Sequence, residues 1–383
     1  MGMHRSARGA VGMFALLLGF LVLPFALPSA LSAAPDGRWS TPEFPHHVVL
    51  ADFDGDGNVD LAVCNAGGSR VSVLLGDGRG GFKSNHNYET GRGPSWVDAA
   101  DFDGDGRLDL VTADTGGEGL TLYFGDGKGD FSRRQQVDGY RAIGSAVAAD
   151  FDGDGRADIA LVQPLENRVM ILRNDGQGGF KEGGSHTVGA AAHILGRTDF
   201  NRDGKVDLTV NVLTEGTTVV LLGRGDGTFA DPLIVPVGAH PHYRVYGDWN
   251  GDGRLDLAIT LASPGAVRIL LARADGTLEP RDSYPVGINP HGLALADFNG
   301  DGHADLVTAN RTSKDLVVLL GGGDGTFRPL PPVRIDEDII TLDAADFDRD
   351  GQPDLVLLSA SSNHVMIWRG LGDGTFRPMP SYR

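Results

Sequence analysis

Apolar residues in this chain come in short runs separated by clusters of Gly, Asp and Asn, and no window carries a helical period of useful length. The first set of runs is Val48 to Asp52, Leu61 to Asn65, Val71 to Leu75 and the weaker Phe82 to Tyr88. They are β-branched and aliphatic and are bounded by turn formers, which is the pattern of strands. The same four-run pattern then recurs. The stretch Asp52-Phe53-Asp54-Gly55-Asp56-Gly57-Asn58-Val59-Asp60 has later copies opening at Asp101, Asp150, Asp199, Asp248, Asp297 and Asp346, always 49 residues apart. A period of that length marks an array of identical supersecondary units.

One four-stranded sheet cannot bury both of its faces, but seven arranged around an axis bury one another. The expected fold is therefore all-β: a seven-bladed β-propeller of four-stranded antiparallel blades, one 49-residue repeat per blade, over residues 35–383. Aligned columns agree with a ring. Small residues precede each opening Asp (Ala51, Ala100, Ala149, Thr198, Gly247, Ala296, Ala345), as crowding near an axis requires. An aromatic follows it (Phe53, Phe102, Phe151, Phe200, Trp249, Phe298, Phe347) and is expected to fill the space between blades. A closing apolar residue, Phe82 in the first repeat, keeps its place although the preceding turn changes length. Ring closure stays open at this level: Trp39 and Tyr382 both fall in the column of Tyr88, and both cannot occupy one slot.

Met1 to Ala34 has Arg5 and Arg8, an apolar stretch from Val11 to Leu27 and small residues at Ser32-Ala33-Ala34, the layout of a cleaved secretory signal. The mature chain is expected to be secreted or periplasmic, with no stable membrane insertion, and monomeric. A formal charge of -18, with 51 acids against 33 bases, excludes a nucleic-acid partner held through phosphates. Cys64, the only cysteine, lies in an apolar run and is expected to be a buried thiol.

Much of the acid is concentrated in the repeated loop. Counting the opening Asp as position 1, oxygen-bearing side chains fall at positions 1, 3, 5 and 9, with Gly at 6 for a sharp bend and a backbone carbonyl available at 7. The candidate ligands are Asp52, Asp54, Asp56, Asn58 and Asp60 in loop 1, and Asp101, Asp103, Asp105, Arg107 and Asp109 in loop 2. Loop 3 has Asp150, Asp152, Asp154, Arg156 and Asp158; loop 4 has Asp199, Asn201, Asp203, Lys205 and Asp207. Loop 5 has Asp248, Asn250, Asp252, Arg254 and Asp256, and loop 6 has Asp297, Asn299, Asp301, His303 and Asp305. Loop 7 has Asp346, Asp348, Asp350, Gln352 and Asp354. An all-oxygen set suits Ca2+, about seven structural ions in all. Without cations, each pair of carboxylates at ~4 Å costs roughly 4 kcal/mol at an effective dielectric near 20. Position 12 is apolar or Thr (Val63, Thr112), so this is not an EF-hand.

The loop, with its accompanying Gly-Asp-Gly turns, resembles the FG-GAP/VCBS repeat family over about Thr41 to Arg383. The resemblance implies an integrin-alpha-like seven-bladed propeller with calcium at loop positions 1, 3, 5, 7 and 9. Similar propellers occur in integrin alpha subunits, a fungal lectin and accessory domains of secreted enzymes.

The loops joining strands 1–2 and 3–4 must share one face of the disc. The opposite face varies between blades and is the expected recognition face. Six residues before the opening Asp, His46, His193, His242 and His291 share a column there. They can bind a transition metal or an anionic ligand, with Arg197, Arg244 and Tyr246 adding to the site; alternatively they are a polar strand start bonded to neighbouring backbone. No catalytic motif is present; Asp98 and Asp343 lie on inner strands without being marked as an acid/base pair, and Trp96 and Trp368 read as core. The expected function is a non-catalytic binding or adhesion module for a protein or glycan partner. The alternatives are a polysaccharide lyase or hydrolase, and a lectin.

Overall fold

The computed structural model describes residues 38–379 except 118, 177, 178 and 275. The proposed signal segment, residues 1–34, and Tyr382 lie outside the described residues. Among the described residues there is no helix, and the strands form seven antiparallel sheets, one per repeat.

In blade 1 the strands are Pro45–Ala51, Asp60–Asn65, Arg70–Gly76 and Phe82–Glu89, paired in sequence order. The first begins three residues earlier than its apolar run, because a bulge between Pro45 and His47 carries the ladder past the polar residues. The first strands of neighbouring blades touch one another in a closed ring, so they are the inner wall. The fold is a seven-bladed β-propeller.

Its core lies between blades. Phe53 meets Phe131 of the next blade edge-on at 5.5 Å, and Phe102–Phe180, Trp249–Phe327 and Phe298–Phe376 repeat the contact. The Phe53 column is at most 5 % exposed. Backbone ties reinforce it: the amides of Gly80, Gly227, Gly325 and Gly374 donate to the carbonyls of Phe347, Phe151, Trp249 and Phe298 in the preceding blade. The small column before the opening Asp is half-buried on the inner wall.

Both ends of the chain close the ring. The third strand of blade 7, His364–Gly370, pairs with Phe376–Pro378 at one end and with the N-terminal strand Arg38–Ser40 at the other. Trp39 lies opposite Val365, in the slot that Tyr88 fills opposite Val71. It is 3 % exposed and packs edge-on against Phe82 of blade 1 at 5.1 Å. Cys64 is fully buried, and burial pushes its thiol up to about 12.

Candidate metal loops and an axial cavity

Each acidic loop is wound around its own carboxylates. Asp52 at position 1 accepts the amides of Gly55 (2.8 Å) and Asp56 (3.2 Å) on one oxygen and that of Gly57 (2.8 Å) on the other. Gly57 has φ +80°, which a side chain would strain. Asp56 at position 5 accepts the amide of Asn58 at 2.8 Å. Position 9 is different: Asp60 is fully buried and holds the amides of Phe53 (2.7 Å) and Gly76 (2.6 Å). The same two-amide grip recurs at Asp109, Asp158, Asp207, Asp256, Asp305 and Asp354. Position 9 thus ties the loop to the end of the third strand, a role the sequence reading missed.

Burial, helped by the neighbouring loop acids, pushes Asp60, Asp109, Asp158 and Asp256 up to about 6 and Asp354 to about 7. In loops 1, 2, 3 and 7, carboxylate oxygens of positions 1, 3 and 9 lie within 4.8 Å of one another. In loops 4 to 6 position 3 is Asn201, Asn250 or Asn299, whose amide oxygen accepts the position-5 amide. An all-oxygen set converging on one point, with an acid held in it against its burial cost, fits a hard divalent cation. In loops 2 to 5 the position-7 side chains cannot be metal donors: Arg107, Arg156, Lys205 and Arg254 fold back on the position-5 acid, which leaves the backbone carbonyl. The four-acid loops also have a cation at position 3. Lys83 lies 2.7 Å from Asp54, Arg369 3.0 Å from Asp348 and Arg173 3.8 Å from Asp152, and Arg133 contacts Asp103.

The histidine column sits at the bulge of the inner strands, where ladder register shifts at Pro45/His47, Ala192/Ile194, Pro241/Arg244 and Pro290/Gly292. His46 donates from Nδ1 to the Ser95 carbonyl (2.7 Å) and His291 to that of Ile340 (2.8 Å), each in an adjacent blade. The rings of His242 and His291 lie 4.5 Å apart, tilted by 41°. Burial pulls His46 and His242 down to about 4 and His291 to about 3, and lowers His193, so the belt is neutral at pH 7. Among the described residues, the three-ligand clusters are those of the acidic loops; the histidines do not form one.

Arg197, Arg244 and Tyr246 are brought together, but away from the histidines. They line a cavity of about 270 Å³ on the axis with Asp98, Asp343 and Gly196. Tyr243 of blade 5 reaches across the axis to stack near His47 and Trp96 (both 6.3 Å) and bonds Thr341 of blade 7 at 3.0 Å. His47 and Trp96 stack at 3.6 Å. This aromatic layer forms one wall of the cavity, and none of the four belt histidines lines it. Trp96 is half-buried, packing against the core cluster of blades 2 and 3 while lining the axial cavity, whereas Trp368 is core at 8 % exposure.

Arg197 is neutralised by Asp98, which also accepts the Ala148 amide at 2.9 Å. Asp343 takes one amide, that of Ala344 at 2.8 Å, and burial pushes it up to about 6. Sequence columns did carry a signal. Arg244 stands where the other blades have Val48, Val97, Ala146, Leu195, Leu293 and Leu342. Asp98 and Asp343 share a column with Val49, Val147, Gly196, Val245 and Ala294.

Structures similar to this one share the fold at low identity. One is a lectin of Agrocybe aegerita that recognises non-reducing terminal N-acetylglucosamine: 22 % identity, 78 % of this chain and 82 % of that one, TM-score 0.56. Another is BBS1N in complex with ARL6DN, at 12 %, 88 % and 95 %, TM-score 0.62. A third is the periplasmic gluconolactonase PpgL of Pseudomonas aeruginosa, at 16 %, 76 % and 85 %, TM-score 0.57. No curated protein matches the chain. The FG-GAP-like repeat profile matches seven times, over residues 52–112, 101–161, 150–197, 199–259, 248–308, 297–357 and 346–383. With the acidic loop recurring in every blade and those matches spanning nearly all the described residues, the chain belongs to the FG-GAP-like repeat family.

Proposed function

We propose that this is an exported, calcium-stabilised propeller that acts as a non-catalytic binding module for a protein or glycan partner. The observation that carries the reading is the division of labour among the repeats. The acidic loops keep one spacing in all seven blades, whereas charged departures from the repeat pattern, Asp98, Arg197, Arg244 and Asp343, come together around one cavity on the inner strands. Uniform loops serve the scaffold; irregular positions on a rigid scaffold serve recognition. Calcium is favoured by the oxygen-only donor set and the carbonyl at position 7. Export is favoured by the layout of residues 1–34.

A glycan array probed with and without EGTA, alongside pull-down from extracellular protein fractions, tests the module. The reading predicts calcium-dependent capture of a defined class; a blank array together with an empty pull-down contradicts it. Mass spectrometry of exported material should find a new N-terminus near residue 35.

One observation favours a second reading, an enzyme acting on polysaccharide. Asp98 and Asp343 line one cavity in different settings, one paired with Arg197 and the other with a single hydrogen bond. Turnover of polyuronides by the purified protein that is abolished in Asp343→Asn would establish it. No turnover, or turnover unchanged in the variant, removes it.

A further inference from the structure

The axial cavity contains a guanidinium with no carboxylate at ion-pair distance among the described residues. Arg244 is 8 % exposed. Its Nε donates to the Tyr246 hydroxyl at 2.9 Å, and Nη2 donates to the carbonyls of Ile194 (2.9 Å) and Thr209 (3.0 Å). Nη1 has no partner, and no carboxylate forms an ion pair with this guanidinium among the described residues. A buried, uncompensated charge is strongly unfavourable, and natural proteins keep one mainly where something else supplies the counter-charge. Arg197, on the neighbouring blade, shows the contrast: it already has Asp98.

The surroundings are shaped for this guanidinium. Gly196 faces it, and a methyl group there would lie 2.5 Å from the Tyr246 hydroxyl and 2.7 Å from Arg244 Nε. The equivalent position is Val49, Val147 or Val245 in other blades, so blade 4 gives up a side chain where the cation needs room. The remaining walls define the rest of a ligand. The layer of His47, Trp96 and Tyr243 offers flat apolar surface of the kind that stacks on a ring. Asp343, with one hydrogen bond, accepts from a hydroxyl. About 270 Å³ is just below the roughly 300–1,000 Å³ of drug-sized sites, which limits the ligand to a small molecule.

We infer that the axial cavity binds a small hydroxylated carboxylate of sugar-acid size, its carboxylate on Arg244, its hydroxyls on Asp343 and its ring against the aromatic layer. This deepens the binding-module reading by naming a ligand class for a site inside the ring. The ligand arrives either free or as the terminal residue of an acidic glycan, and the two sources share this chemistry.

The test is calorimetry on the full mature chain in calcium, with D-glucuronate, its methyl glycoside, a uronate trisaccharide, D-glucose and acetate as probes. Glucuronate should bind at least tenfold more tightly than either glucose or acetate. Tighter binding of the trisaccharide assigns the site to a glycan end; binding of the monosaccharide alone assigns it to a free acid. Arg244→Gln should weaken glucuronate at least tenfold without lowering the melting temperature, and ligand-induced change in tryptophan emission should vanish in Trp96→Phe. If Arg244→Gln fails to fold, Gly196→Ala provides the test, because its methyl displaces the guanidinium and should weaken binding similarly. Equal affinity for glucose, no binding of any carboxylate, or binding indifferent to the Arg244 and Gly196 variants overturns the inference. A positive glycan array or pull-down with an inert cavity would overturn it while leaving the binding-module reading standing.

Discussion

Trp39→Ala asks whether the N-terminal strand closes the ring. Trp39 is 3 % exposed, its backbone pairs with Val365, and its ring meets Phe82 of blade 1 edge-on at 5.1 Å. A buried tryptophan removes about 150–250 Å² from water, which at ~25 cal/mol per Å² is roughly 4–6 kcal/mol. The unfolded chain already hides part of that area, so truncation is expected to cost about 3–5 kcal/mol. The surrounding cluster (Leu74, Phe82, Val365, Ile367 and Met379) comes from blades 7 and 1, so the cavity opens at the seam of the ring. The assay is urea denaturation followed by far-UV circular dichroism at fixed calcium, with Tyr382→Ala as the control, since Trp39 already takes the slot that both residues match. The seam account predicts a midpoint shift equivalent to about 3 kcal/mol or more for Trp39→Ala and a much smaller one for Tyr382→Ala. Equal shifts, or a Trp39→Ala cost below about 1 kcal/mol, would refute the reasoning.

Three further outcomes are expected. Without divalent ions, the position-9 acids bind more protons in the folded than in the unfolded chain between about pH 4 and their raised values of about 6 to 7. Their contribution to stability is lost as pH rises through that window, while the depressed histidines contribute the opposite slope, gaining as pH rises up to 6.5. In EGTA, Asp354→Asn should therefore make the melting temperature rise more steeply from pH 5 to pH 7 than in the parent protein. Saturating calcium should make the melting temperature rise more steeply with pH than in EGTA, because protons then compete with the ion; the same slope in both conditions contradicts this. Lys83→Met removes a half-exposed ammonium 2.7 Å from Asp54; an exposed pair of this kind is worth up to about 1 kcal/mol. Calorimetry should find the calcium affinity of loop 1 raised up to about fivefold, and a fall in affinity would show that Lys83 supports the loop. Phe298→Ala, at a residue 2 % exposed and edge-on to Phe376 at 5.2 Å, should cost about 3–5 kcal/mol in thermal or urea denaturation; a loss under 1 kcal/mol would mean that the interblade aromatics are not the core.

The fold was legible because each repeat must solve the same packing problem. The Phe53 column, the small residues beside each opening Asp and the closing Phe82 column all proved to lie where a ring of blades needs them. Ring closure was not legible, because Trp39 and Tyr382 fit one column equally and only three-dimensional pairing shows that Trp39 takes the slot. The loops were legible as oxygen clusters. The double amide grip of position 9 was not, since its second partner, Gly76 in blade 1, is sixteen residues away. The axial cavity was half visible. Arg244 in an apolar column and Asp343 among Val and Ala are anomalies that a column comparison exposes. Tyr243 crossing to His47 and Trp96 is a relation between blades 5, 1 and 2 that no repeat period encodes. The histidine column was the most conspicuous polar pattern, yet at His46 and His291 it serves bulged strand starts bonded to adjacent blades.

Chelation combined with metal counting probes the foundation of this account most directly. Purified mature protein should carry about seven calcium ions per chain by elemental analysis, and exhaustive EGTA treatment at pH 7 should lower its melting temperature substantially and reversibly. A calcium-free preparation that melts at the same temperature before and after chelation would mean that the seven acidic loops stand on their own hydrogen bonds.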